Sequence, residues 1–146
     1  MIDLPQQSYI LIIDDDEEDV FPLKWSLEQA MSKHVVVHIA DGAEALEFIL
    51  ARRSVQELPD LILLDINMPG VNGYETLAAM RSADISRTLP VLMFSTSDSP
   101  REVHKSYISG ANAHLVKPNS IADMKKLTIA IESFWLQSAT LPNQIV

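Results

Sequence analysis

The stretch that decides the fold is Leu61-Ile62-Leu63-Leu64-Asp65-Ile66-Asn67-Met68-Pro69-Gly70. Four apolar residues lead directly into a carboxylate, and a turn cluster follows as far as Gly73. An apolar run of this length, without alternation, reads as a strand buried on both faces. Three more runs repeat the design. Ile10-Leu11-Ile12-Ile13 enters Asp14-Asp15-Asp16, Pro90-Val91-Leu92-Met93-Phe94 enters Ser95-Thr96-Ser97, and Ala113-His114-Leu115-Val116 enters Lys117-Pro118. Such strands belong to parallel sheets, whose functional groups gather at the carboxyl ends. One rim would then collect three carboxylates, a hydroxyl and an ammonium, a set suited to a divalent cation and a phosphoryl group.

Between these runs the apolar spacing changes to that of helices. Strands are expected at 9–13, 35–40, 61–65, 91–95 and 113–116, and helices at 17–32, 42–53, 74–82, 100–109 and 120–138. The first helix carries Val20, Leu23, Leu27 and Ala30 at helical spacing, with Pro22 near its start. Gly110 closes the fourth helix and Ser120 caps the fifth. Ile121, Met124, Leu127, Ile131 and Phe134 form the core stripe of that last helix. Trp135 and Leu136 exceed one stripe, and are available to dock the tail around Leu141 or to form a dimer surface.

Five βα units with short connections imply an α/β, doubly wound, five-stranded parallel sheet with five helices in three layers. The flavodoxin-like strand order 2-1-3-4-5 sets strands one and three side by side, so Asp14, Asp15 and Asp65 converge.

The chain has 146 residues, enough for one domain with a full core, and 47% of them are apolar. The expectation is a single domain over 1–146, with a short tail at 139–146 and no output domain. The net charge of −9 argues against nucleic acid or an anionic membrane as main partner. Cysteine is absent, which removes disulfide and thiol chemistry. Residues 1–7 carry neither the basic nor the apolar region of a secretory signal, and no apolar run approaches the roughly 20 residues of a membrane span. The default location is cytoplasmic.

Taken in order, these segments resemble the receiver domain of bacterial two-component response regulators. The residues that carry the resemblance are Ile12-Ile13-Asp14-Asp15, Leu63 to Gly70, Asn72-Gly73, Phe94-Ser95-Thr96, Gly110-Ala111 and Val116-Lys117-Pro118. The acidic run through Asp19, with Phe134-Trp135-Leu136 and Leu141-Pro142, is similar to the single-domain receivers related to phytochrome response regulators.

The resemblance implies Asp65 as phosphoryl acceptor and Asp15 as direct metal ligand. It gives Asp14 a metal-bound water and Asn67 a backbone carbonyl on the metal. Ser95 would bond the phosphoryl group, and Lys117 would pair with Asp65 or a phosphoryl oxygen. The cofactor implied is Mg²⁺, with Mn²⁺ as the substitute. A sensor histidine kinase or histidine phosphotransfer protein would donate the phosphoryl group. A downstream protein would read it through the face of helix four, strand five and helix five, where a homodimer would also form. The domain would be a switch, not a turnover enzyme.

The chemistry supports these assignments. A carboxylate accepts a phosphoryl group by in-line displacement only if the mutual repulsion of the anions is first neutralised. Mg²⁺ prefers oxygen ligands, and two carboxylates with one carbonyl leave about three of six positions for water or phosphoryl oxygens. Lys117 adds a compact positive charge.

Two departures stand out. His114 occupies a position where the family often has Tyr or Phe, whose ring turns inward on activation. An exposed strand histidine, lying outside, is the expectation, with a pH-sensitive switch as the sharper reading. Asn119 replaces an apolar residue after Lys117-Pro118, a bond the resemblance implies to be cis.

The rival is a Mg²⁺-dependent phosphohydrolase similar to haloacid dehalogenases, suggested by Asp65-Ile66-Asn67. Asn67 stands where that family needs a proton-donating Asp, and Asp65 follows the third strand instead of the first. A flavodoxin-type cofactor binder would meet Asp14-Asp15-Asp16 where a phosphate loop should be.

Overall fold

The computed structural model describes residues 8–30 and 34–144. The expected extension of the first helix to residue 32, and the last two residues of the tail, lie outside them. The strands are β1 (Tyr9–Ile13), β2 (Val35–Ile39), β3 (Leu61–Asp65), β4 (Val91–Ser95) and β5 (Ala113–Val116). The α-helices are α1 (Glu17–Ala30), α2 (Gly42–Leu50), α3 (Gly73–Ser82), α4 (Pro100–Ile108) and α5 (Ile121–Ile131). The sheet is five-stranded, parallel in every pair, in the order β2-β1-β3-β4-β5. The expected fold class is therefore the observed one.

Alternate residues of the central strands serve two separate cores, as the strand period of two requires. Leu11, Ile13, Ile62, Leu64, Val91 and Met93 pack on one face against Ala45, Phe48 and Ile49 of α2 and Leu77 and Met80 of α3. Ile10, Ile12, Leu61, Leu63, Leu92 and Phe94 pack on the other face against Val20, Leu23 and Leu27 of α1 and Met124 and Ile131 of α5. Each fully buried aliphatic side chain contributes about 1.5–3 kcal/mol. Helices α1 and α5 also share a buried polar contact, Ser26 Oγ to Thr128 Oγ1, at 2.8 Å. By contrast, α4 buries little besides Ser106 and lies along β5 at the edge.

Local chemistry sets the ends. Asp41, Asn72, Ser99 and Ser120 each accept a backbone N–H three residues on, and Asn72 with Glu75 completes a capping box. Gly110, with φ +104°, supplies the left-handed residue that ends α4.

Pro22 lies early in α1 as expected, past the first turn and inside the helix. Three expectations need correction. Ile121 opens α5 on its outer side and is 81% exposed. Phe134 leaves the core stripe because the chain from Glu132 to Ser138 winds as a π-helix. Ala139 N–H donates to the Phe134 carbonyl and Ser138 Oγ to the Ser133 carbonyl, both five residues back. That wider turn rotates Phe134 outward and brings Trp135 and Leu136 against the core. Lys117–Pro118 is trans, since the described residues contain no cis peptide bond. Trans is the favoured isomer of X–Pro bonds by about 0.5–1 kcal/mol. No helix among the described residues is long and apolar enough to cross a membrane.

Candidate functional site

The site lies where the carboxyl ends of β1, β3 and β5 meet. β1 and β3 pair from Ile10–Leu61 to Ile13–Leu64, so Asp14 and Asp65 emerge side by side. Oxygen atoms of Asp14, Asp15 and Asp65 lie within 4.8 Å of one another. Asp14 and Asp65 are buried, and Asp15 is exposed at the mouth. Lys117, carried in by β5 from 103 residues away, places Nζ 3.0 Å from Asp14 Oδ2. The same ammonium lies 3.1 Å from Asp65 Oδ1 and 2.8 Å from Asp19 Oδ2.

This crowding shifts the protonation equilibria. Burial, reinforced by the negative charge of Asp14, pushes the Asp65 carboxyl up to about 6, although Lys117 opposes the rise. Burial likewise raises Asp14, against its bonds from the Asp16 backbone and Lys117. For Lys117, burial works against the charge, but bonds to Asp19 and Asp14 and the neighbouring carboxylates outweigh it and push the ammonium upward. A single lysine facing three carboxylates leaves a net negative pocket open at Asp15. Hard oxygen donors at this spacing fit a divalent cation.

Close packing fixes the frame. Gly73 N–H donates to the Ile66 carbonyl at 2.9 Å, holding the start of α3 against the end of β3. A Cβ on Gly73 would overlap the Asp65 carbonyl oxygen and the Ile66 Cα. Asn67 stands exposed in the loop between them. Ser95, 1% exposed, ends β4, and its Oγ accepts the Ser97 N–H at 3.1 Å.

The model for the response regulator receiver domain matches residues 10–129. The chain belongs to the response regulator receiver family. This receiver is 32% identical over 135 residues to the response regulator Rcp1 of Synechocystis, covering 91% of this chain and 92% of that protein. The crystal structure of Mn²⁺-bound Rcp1 superposes with a TM-score of 0.81 and 31% identity, over 92% of this chain and 99% of that one. The phosphorylated cyanobacterial phytochrome response regulator RcpA superposes at 0.83 with 32% identity, over 93% and 99%. The phosphohydrolase alternative finds no support, because the family match and the strand order are those of a receiver.

Within the receiver, Asp14, Asp15, Asp65 and Lys117 come together as the sequence implied, and two partners went unassigned. Asp19 supplies the third carboxylate for Lys117 from the first turn of α1. His38 on β2 bonds the Asp14 carbonyl through Nε2 at 2.7 Å. The acidic run was legible, but which of its members faces the lysine depends on where α1 begins.

His114 does not lie outside as expected. It is half-buried, with Nε2 2.9 Å from the Ser97 carbonyl and Nδ1 2.8 Å from Ser106 Oγ. A carbonyl only accepts, so Nε2 carries the proton. Ser106, fully buried on α4, meets the ring from the helix side.

Proposed function

We propose that this receiver accepts a phosphoryl group on Asp65 from a sensor histidine kinase or histidine phosphotransfer protein, with Mg²⁺ as the working ion. The observation that carries the reading is the buried Asp65 carboxylate, set between Asp14 and the Lys117 ammonium. In the proposed step an Asp65 oxygen attacks phosphorus while the bond to the donor nitrogen breaks. Asp14, Asp15, Asp65 and the Asn67 carbonyl would hold the cation, with Asp14 acting through a bound water. When bound, Mg²⁺ supplies charge neutralisation and orients the phosphoryl oxygens. Lys117 is pre-positioned to trade its Asp65 contact for a phosphoryl oxygen. Ser95 offers a hydroxyl to another. These groups act by position and charge, which is the main requirement of phosphoryl transfer. The protein is in this reading a switch and not a turnover enzyme, working in the cytoplasm on protein partners.

Ser95 and His114 are assigned as the switch pair. Ser97 joins them, since its N–H serves Ser95 Oγ and its carbonyl serves the His114 ring. A Ser95 hydroxyl that turns to a phosphoryl oxygen frees Ser97, and with it the ring that holds α4. Output then runs through the face of α4, β5 and α5, where Tyr107, Ile108, Val116 and Ile121 are exposed. That apolar surface suits a downstream protein or a second copy of the chain.

The test is incubation with a small phosphodonor and Mg²⁺, followed by intact mass. One added phosphoryl group is expected on the native protein and none on Asp65→Asn. An adduct that survives in the variant overturns the assignment, and steady release of phosphate from generic monoesters would revive a hydrolase.

A further inference from the structure

At the end of the sheet remote from the acidic pocket, the chain beyond α5 folds back under the strands. The receiver match stops at residue 129, so this return lies outside the family's common frame. The π-helix carries the chain to Ala139, Leu141 is 2% exposed, and Pro142–Gln144 form a short 3-10 turn against Val55–Glu57. Asn143 fastens the return. Its Nδ2 donates to the Leu58 carbonyl at 3.2 Å and to Asp60 Oδ1 at 2.5 Å.

Asp60 is a hub. It immediately precedes β3, is 2% exposed, and its N–H donates to the Tyr9 carbonyl of β1 at 2.9 Å. His34, just before β2, brings Nε2 to 3.2 Å from Asp60 Oδ2, an ion-pair distance. Asp60 Oδ2 and Asn143 Oδ1 are both buried without a hydrogen-bond partner. Of the two carboxyl oxygens, Oδ1 is served by the Asn143 amide and Oδ2 has only the His34 ring beside it, so the amide carries the hydrogen bonding of this buried group. The same two orphan oxygens also limit how strongly the fastening holds. The approach is through a π-helix, a rare geometry in long runs.

We propose that residues 132–144 form a strap across the amino-terminal end of the sheet, latched by Asn143 to Asp60, that opens locally while the five strands stay folded. The strap ties the far end of α5 to the start of β3, the strand that presents Asp65 at its other end. Leu141 is buried on the return, and the Asn143 amide fixes the chain two residues later to Leu58 and Asp60.

Hydrogen exchange on the full chain tests this. Asn143→Ala should raise exchange across 132–144 by about tenfold and leave β3 and β4 as they are. Asn143→Asp sets two carboxyls face to face and should raise it further. The reciprocal pair, Asn143→Asp with Asp60→Asn, restores an amide opposite a carboxylate and should recover most of the protection. An unchanged rate in 132–144 overturns the proposal. So does a rise spread evenly through β1, β3 and β4, which would mark a global stabilising contact. Failure of the reciprocal pair to recover overturns the latch.

Discussion

At the scale of single residues, the site is a charge balance held short of neutrality. Lys117 serves Asp14, Asp19 and Asp65 at once. Removing it strands two buried carboxylates, so Lys117→Ala should cost about 3–5 kcal/mol in EDTA. A urea melt checks the value, and a loss below about 1 kcal/mol would mean the pocket relaxes into water. Asp65 gives a sign to the pH dependence. Its folded value of about 6 lies above the unfolded 3.8, so the native state holds the extra proton between them. Stability of the metal-free protein should therefore fall as pH rises from about 4 to about 6, by at most about 3 kcal/mol. Asp65→Asn should flatten that slope, and an unaltered profile would place the titration elsewhere. Asp15 is the exposed member of the cluster, so its repulsion is slight, while its oxygen stays within 4.8 Å of those of Asp14 and Asp65. Asp15→Asn should erase the melting-temperature gain, roughly 5–10 °C, that saturating Mg²⁺ gives the parent protein.

At the scale of elements, tight and loose attachments sit side by side. The start of α3 is bolted to the end of β3 through Gly73, where backbone meets backbone. Gly73→Ala forces the two apart and should destabilise the fold by about 1–3 kcal/mol. Denaturant titration with full retention of stability would show that the loop gives way freely. Helix α4 is the loose counterpart, held by the His114 ring through buried Ser106. Ser106→Ala should cost about 0.5–1.5 kcal/mol and speed amide exchange in α4 while α3 is unchanged. Equal rates in both helices would deny His114 any hold on α4. The sequence made most elements legible, because apolar runs and capping residues act locally. It misread residues 132–138 because α and π windings share the same apolar residues.

At the scale of the whole molecule, the strand order was legible because alternating strands and helices with short connections admit few topologies. Asp14, Asp15, Asp65 and Lys117 were legible for the same reason, standing at the ends of three strands, β1, β3 and β5. His114 and Asp19 were placed less well, since a side chain's direction depends on neighbours such as Ser106 that composition does not reveal. The span between Asp14 and Lys117 is 103 residues, and this has a bearing on biosynthesis. A nascent chain still short of β5 carries Asp14 and Asp65 without their shared counter-charge. The pocket therefore gains its cation only when the last strand of the sheet has been made.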